Sequence, residues 1–136
     1  MSQTATIALL DRYYNCFNKG DWEGMLACLS DDVVHDINQG TRQEGKDAFR
    51  SFLAHMERCY AEQLKDLVVM ASEDGSRGSA EFVVQGQYLA TDEGLPEATG
   101  QRYVLPAGAF FAIDKGLISR VTVYYNLADW EAQVLG

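Results

Sequence analysis

The chain has no apolar run approaching about 18 residues, so it offers no membrane-spanning helix. Its first 15 residues contain Asp11 and Arg12 and lack a basic start followed by an apolar core, so they do not read as a secretory leader. The expected location is the cytoplasm, with no membrane partner. Basic residues are scarce: 11 Lys and Arg face 20 Asp and Glu, for a net charge of -9, and no basic run could neutralise a phosphate backbone. Nucleic acid is therefore not an expected partner. Cysteine is limited to Cys16, Cys28 and Cys59, an odd number without a Cys-x-x-Cys pair, which argues against a disulfide framework and a zinc cluster. The three read as small core fillers, and neither a metal nor a cofactor is expected. Only two prolines occur, the 12 glycines form no linker, and no repeat or low-complexity segment is present. Residues 1–136 read as one domain.

What is present suits a packed fold. Of 136 residues, 47% are hydrophobic, and a chain of this size buries roughly two-thirds of the surface its unfolded form exposes. Between Thr4 and Asn18, Ile7, Leu10, Tyr14 and Phe17 recur at helical spacing, and Gly20 stands where a C-terminal cap belongs. Asp21 then offers a carboxylate to the free amides of a second helix carrying Trp22, Met25, Leu26 and Leu29. After the turn formers Ser30, Asp31 and Asp32, the segment Val33–Asn38 alternates as a short strand. A third helix is expected from Lys46 to Gln63, with Phe49, Phe52, Leu53, Met56 and Tyr60 on one stripe.

Beyond Gln63 the period falls to 2, which predicts strands over Leu64–Ser72, Ser79–Ala90, Gln101–Ile113 and Leu117–Asn126, joined by turns at Asp74-Gly75 and Lys115-Gly116. A last short helix covers Leu127–Leu135. The expected fold class is α+β: a curved, cone-shaped antiparallel sheet of about four long strands plus one short, packed against three helices. Such a cone leaves one open end and an internal pocket.

The order of elements carries a resemblance together with Asp11-Arg12-Tyr13, Asn18-Lys19-Gly20-Asp21-Trp22, the Ser30-Asp31-Asp32 turn and the ending Tyr124-Tyr125-Asn126. The chain resembles the nuclear-transport-factor-2-like superfamily. Within it, His35-Asp36-Ile37-Asn38-Gln39-Gly40 and the run from Gly100 to Gly108 resemble the SnoaL-like group related to ketosteroid isomerase. This superfold hosts isomerases, cyclases, epoxide hydrolases, dehydratases and non-catalytic proteins. For an isomerase, the resemblance implies an Asp base and a Tyr in an oxyanion hole. Tyr13 matches the position of that Tyr on the first helix, and Asp36 lies near that of the base. Gly108 stands where the second oxyanion acid belongs and cannot donate.

The residues also speak for themselves. Asp36, flanked by Val33, Val34 and Ile37, would be desolvated and its pKa raised toward values useful for proton transfer. His35 and Asp36 point to opposite faces of a strand, so only one can enter the cone; Asp36 is the chosen one, with His35 a core or ligand-side histidine. On the last strand Thr122, Tyr124 and Asn126 share a polar face, which the resemblance turns toward the cavity, while Val121, Val123 and Tyr125 would pack against a second subunit. The catalytic candidates are thus Asp36 and Tyr13, and the substrate-binding candidates Phe17, Trp22, Met25, His35, Phe52, Met56, Tyr103, Thr122, Tyr124 and Asn126. His55 and Cys59 share a helix face at i, i+4, without an evident third metal ligand. Asp92, Glu93 and Glu97 read as a solvated acidic loop, and Gly86 and Gly108 as bends in strands.

Three functions remain open at this point. The first is an enzyme that binds a small hydrophobic cyclic molecule and shifts a proton with Asp36 as base and Tyr13 as donor. The second is a non-catalytic ligand-binding or protein-interaction homodimer, and the third a SnoaL-like cyclase or dehydratase.

Overall fold

A computed structural model describes residues 2–38 and 40–136. The elements run α1 (Gln3–Lys19), α2 (Trp22–Ala27), β1 (Leu29–Asp36), β2 (Arg42–Glu44), α3 (Lys46–Cys59), β3 (Tyr60–Ala71), β4 (Arg77–Tyr88), β5 (Arg102–Asp114), β6 (Leu117–Tyr125) and α4 (Leu127–Leu135). Helix α1 is capped by the Ser2 hydroxyl, which accepts from the Ala5 amide, and is closed by Gly20 at φ 71°, a left-handed turn that glycine adopts without strain. Asp21 caps α2 by accepting from the Gly24 amide, as its position before Trp22 implied.

The six strands form one open, curved sheet in the order β2-β1-β6-β5-β4-β3. All neighbours are antiparallel except β1 and β6, which run parallel. The sheet is therefore mixed, where an antiparallel one was expected. Bulges bend it between Lys65 and Val68 in β3, where Asp66 takes φ 54°, and at Ser119 in β6, opposite Ala112 and Ile113 of β5. The four helices and the sheet bury an aromatic and aliphatic core that includes Leu10, Phe49, Tyr88, Phe111 and Ile118. No helix among the described residues is long and apolar enough to cross a membrane.

Three departures from expectation bear on the site. Strand β1 begins at Leu29 rather than Val33, because Leu29 is fully buried and pairs with Ile118 across the parallel junction. Strand β2, with only three residues, is too short to display a period and was not foreseen. Helix α3 stops at Cys59, so Tyr60 is not the last residue of a helical stripe but the first of β3, with φ -137° and ψ 147°. Its ring stacks on Tyr88 at a centroid distance of 5.4 Å, a tertiary contact that outweighs one more helical turn.

Candidate functional site

The concave face of the sheet and the helices enclose a cavity of about 560 Å³, a size typical of small-molecule sites. Its apolar wall includes Tyr13, Tyr14 and Phe17 from α1, Phe52 and Met56 from α3, and Phe82 and Leu105 from the sheet. Strand alternation decides what else enters. In β6 the apolar set Val121, Val123 and Tyr125 lines the cavity, and in β3 Tyr60, Glu62 and Leu64 do.

Glu62 is the acid that strand alternation in β3 brings into the apolar wall. It lies opposite Gly86 in β4, which lies opposite Tyr103 in β5, so the three form one row across the sheet. A Cβ at Gly86 would overlap the Tyr103 ring. Without it, the ring lies over β4 and its hydroxyl donates to Glu62 Oε2 at 2.5 Å. Burial raises the Glu62 pKa above its ordinary value, and the Tyr103 hydrogen bond partly offsets this. Burial and the Glu62 charge together push the Tyr103 phenol up, so it stays a donor.

A second polar cluster stands where α3, β3 and the loop after β4 meet. The Tyr60 hydroxyl donates to Asp92 Oδ2 at 2.7 Å, and His55 Nε2 lies 2.8 Å from Asp92 Oδ1. His55, Tyr60 and Asp92 all line the cavity. Asp92 therefore turns inward from the loop that was expected to be solvated surface. It also supplies what the His55 and Cys59 pair lacked: the three ligand atoms lie within 4.8 Å of one another.

On the opposite wall His35 is 3% exposed, stacked on Phe49 at 4.4 Å and edge-on to Phe52 at 4.6 Å. Burial depresses its pKa to about 4, so the ring is neutral at pH 7. Its Nδ1 and the Asn38 Nδ2 are buried without a hydrogen-bond partner.

Several expected site residues fall elsewhere. The register sets His35 beside Val121 and Asp36 beside Thr122, so His35 looks in and Asp36 looks out, the reverse of the expectation. Asp36 is held by Arg42 Nε at 2.6 Å and Nη2 at 3.1 Å and by the Thr122 hydroxyl at 2.7 Å. The hydrogen bonds from Arg42 and Thr122 pull its pKa down to about 2, where burial was expected to raise it. Thr122 and Tyr124 share that outer face, with Tyr124 58% exposed, while Asn126 caps α4 by accepting from the Asp129 amide. The polar stripe thus faces outward because the apolar residues of β6 cover the core. Trp22 lines a groove outside the cavity and donates to Glu57 at 2.8 Å. Phe17, Met25, His35, Phe52 and Met56 line the cavity as expected, and Tyr103 reaches it through Glu62. Tyr13 lines it too, its phenol kept protonated by burial.

Glu62 was missed because the expected third helix ran through Gln63, which hid the strand parity. The signal that could have found it was Gly86, a glycine inside a strand that makes room for a side chain from the next one.

Comparison with known proteins agrees with this architecture. The profile of the SnoaL-like domain matches residues 10–121. A candidate polyketide cyclase of Pseudomonas putida is 61% identical, covering 95% of this chain and 97% of its own, with a TM-score of 0.94. One from Xanthomonas campestris is 55% identical, covering 97% and 98%, also with a TM-score of 0.94. An epoxide hydrolase of the LEH-like type from Mycobacterium tuberculosis shares the fold at 19% identity, covering 98% and 91%, with a TM-score of 0.77. No curated protein matches the chain in sequence.

Proposed function

The chain belongs to the SnoaL-like domain family, and from that premise we propose that it binds a small hydrophobic cyclic molecule in its cavity and moves a proton on it, with Glu62 as the base. The observation that carries this reading is a carboxylate set in an aromatic wall and held by one tyrosine. An acid whose pKa is raised by burial is a stronger base once ionised, and it stands closer to the pH at which it works. Tyr13 remains the candidate donor to an enolate oxygen, since its phenol does not ionise in this setting. The role first expected of Asp36 passes to Glu62, which faces the ligand. Two solved relatives at 61% and 55% identity are candidate polyketide cyclases, and ring closure of a polyketone also begins with proton removal beside a carbonyl, which supports a ligand of that class.

The test is a panel of cyclic enones and polyketide-type phenols screened by thermal shift, followed by solvent-deuterium exchange into each compound that binds. A ligand raises the melting temperature of wild type and Glu62→Gln alike. Exchange in wild type falls on the order of 10²- to 10⁴-fold in Glu62→Gln. Equal exchange rates in the two proteins would remove Glu62 from the chemistry.

The homodimer expected from sequence needs a different face, since Val121, Val123 and Tyr125 line the cavity. On the outer face Val104, Phe110 and Tyr124 are each more than half exposed, and the rings of Phe110 and Tyr124 meet edge-to-face at 5.9 Å. We propose that a second copy covers this patch. Light scattering should report a dimer for wild type and a monomer for Phe110→Glu; a wild-type monomer at all accessible concentrations refutes it.

A further inference from the structure

We propose that His55, Cys59 and Asp92 form a binding site for a borderline-soft divalent cation of the zinc type, with a fourth position open to the cavity. The idea stands whether or not Glu62 moves a proton, because it rests on different atoms.

Chemistry and spacing both favour it. An imidazole nitrogen, a thiolate and a carboxylate oxygen are the ligand types of tetrahedral zinc sites, and three protein ligands with one open position is the arrangement of catalytic ones. His55 and Cys59 sit four residues apart near the C-terminus of α3, so their side chains share one face. His55 Nε2 lies 4.0 Å from Cys59 Sγ and 2.8 Å from Asp92 Oδ1. A cation about 2.0 Å from nitrogen and oxygen and about 2.3 Å from sulfur fits between these atoms after shifts of a fraction of an ångström to about one ångström.

The third ligand is held independently of any cation. The Cys59 carbonyl accepts from the amides of Leu89 at 2.7 Å and Ala90 at 3.3 Å, which ties the loop to the end of α3. The Asp92 amide donates to the Tyr88 hydroxyl at 2.8 Å, and that hydroxyl donates on to the Pro96 carbonyl at 2.7 Å. The Tyr60 hydroxyl donates to Asp92 Oδ2, which leaves Oδ1 as the oxygen aimed at His55. Outer partners of this kind orient a metal-binding carboxylate.

Proton bookkeeping closes. Arg58 Nη2 lies 3.0 Å from His55 Nδ1, and a guanidinium only donates, so Nδ1 accepts and the ring proton sits on Nε2, donated to Asp92. A cation at Nε2 shifts that ring proton to Nδ1 and displaces the thiol proton of Cys59. With the ring proton on Nδ1, the exposed Arg58 side chain swings to solvent, and one proton, that of the thiol, leaves per cation bound. The cation would fasten the loop after β4 to α3 beside the cavity.

The probe is cobalt(II), whose thiolate bond gives a near-ultraviolet charge-transfer band and whose tetrahedral site gives visible bands. The full chain, stripped with a chelator and titrated with Co²⁺, should develop both bands and saturate at one equivalent. Zn²⁺ should then abolish them. Cys59→Ser should lose the charge-transfer band, whereas Cys16→Ser should keep it. His55→Gln, altering a side chain near the surface, provides a second disruption if Cys59→Ser does not fold, and should weaken Co²⁺ binding at least tenfold. Tyr60→Phe should weaken it on the order of tenfold by freeing the Asp92 carboxylate. Absence of a charge-transfer band in wild type at one equivalent, its persistence in Cys59→Ser, or undiminished Co²⁺ binding by His55→Gln overturns the site.

Discussion

Asp36 and Glu62 are both strand carboxylates, yet they occupy opposite faces of one sheet and differ in almost every physical respect. Asp36 meets a guanidinium and a hydroxyl at the outer face, and its charge is stabilised. Glu62 meets one phenol in an aromatic wall, and its charge is penalised. The comparison teaches that the flanking residues of an acid do not reveal its environment. Val33, Val34 and Ile37 surround Asp36 in sequence, but strand alternation turns Val33 inward, Ile37 lines the cavity, and only Val34 stays on the face of Asp36.

The largest expected break in the comparison comes from Gly86→Ala. The added Cβ overlaps the Tyr103 ring, so either the ring leaves Glu62 or the strands part, at a cost of about 1–3 kcal/mol in urea denaturation. An unchanged unfolding midpoint would mean that the row Glu62, Gly86 and Tyr103 is slack.

A smaller and more telling effect is the pH dependence of stability in two neutralising variants. The folded pKa of Glu62 lies above its usual 4.5, so its stabilising contribution is present below 4.5 and lost as pH rises through the folded value. Glu62→Gln should therefore gain on wild type toward neutral pH, while keeping an oxygen for Tyr103. Asp36 behaves oppositely. Its folded pKa of about 2 lies below the usual 3.8, so its contribution is present above 3.8 and fades as pH falls through about 2. Asp36→Asn should cost roughly 1 kcal/mol at neutral pH, because solvent screens its exposed partner Arg42, and nothing near pH 2. Melting curves of the three proteins from pH 2 to 8 check both signs. Slopes of the same sign would erase the distinction between the two acids.

Much of the architecture was legible from local chemistry. The caps at Asp21 and Gly20, the apolar stripes of α1 and α3 and the alternation of β4, β5 and β6 each follow from residue types at short spacing. The aromatic half of the cavity, with Phe17, Phe52 and Met56, was readable for the same reason: apolar residues at helical spacing face inward. The polar half was less so. Reading His35 and Asp36 correctly required the parallel register with Val121 and Thr122, which joins segments 86 residues apart. Asp92 looked like one charge among three in a loop until the Tyr60 and Tyr88 hydroxyls fixed it.

By itself the sequence determined the α+β class, the order of helices and strands, and the supply of aromatic side chains for an apolar pocket. Periodicity and capping act within a few residues, and the burial of apolar surface enforces them. Tertiary structure alone decided which acid enters that pocket, which strand edge meets which, and that His55, Cys59 and Asp92 converge. Those outcomes depend on strand register and on one missing Cβ at Gly86, and both are set by packing between distant segments.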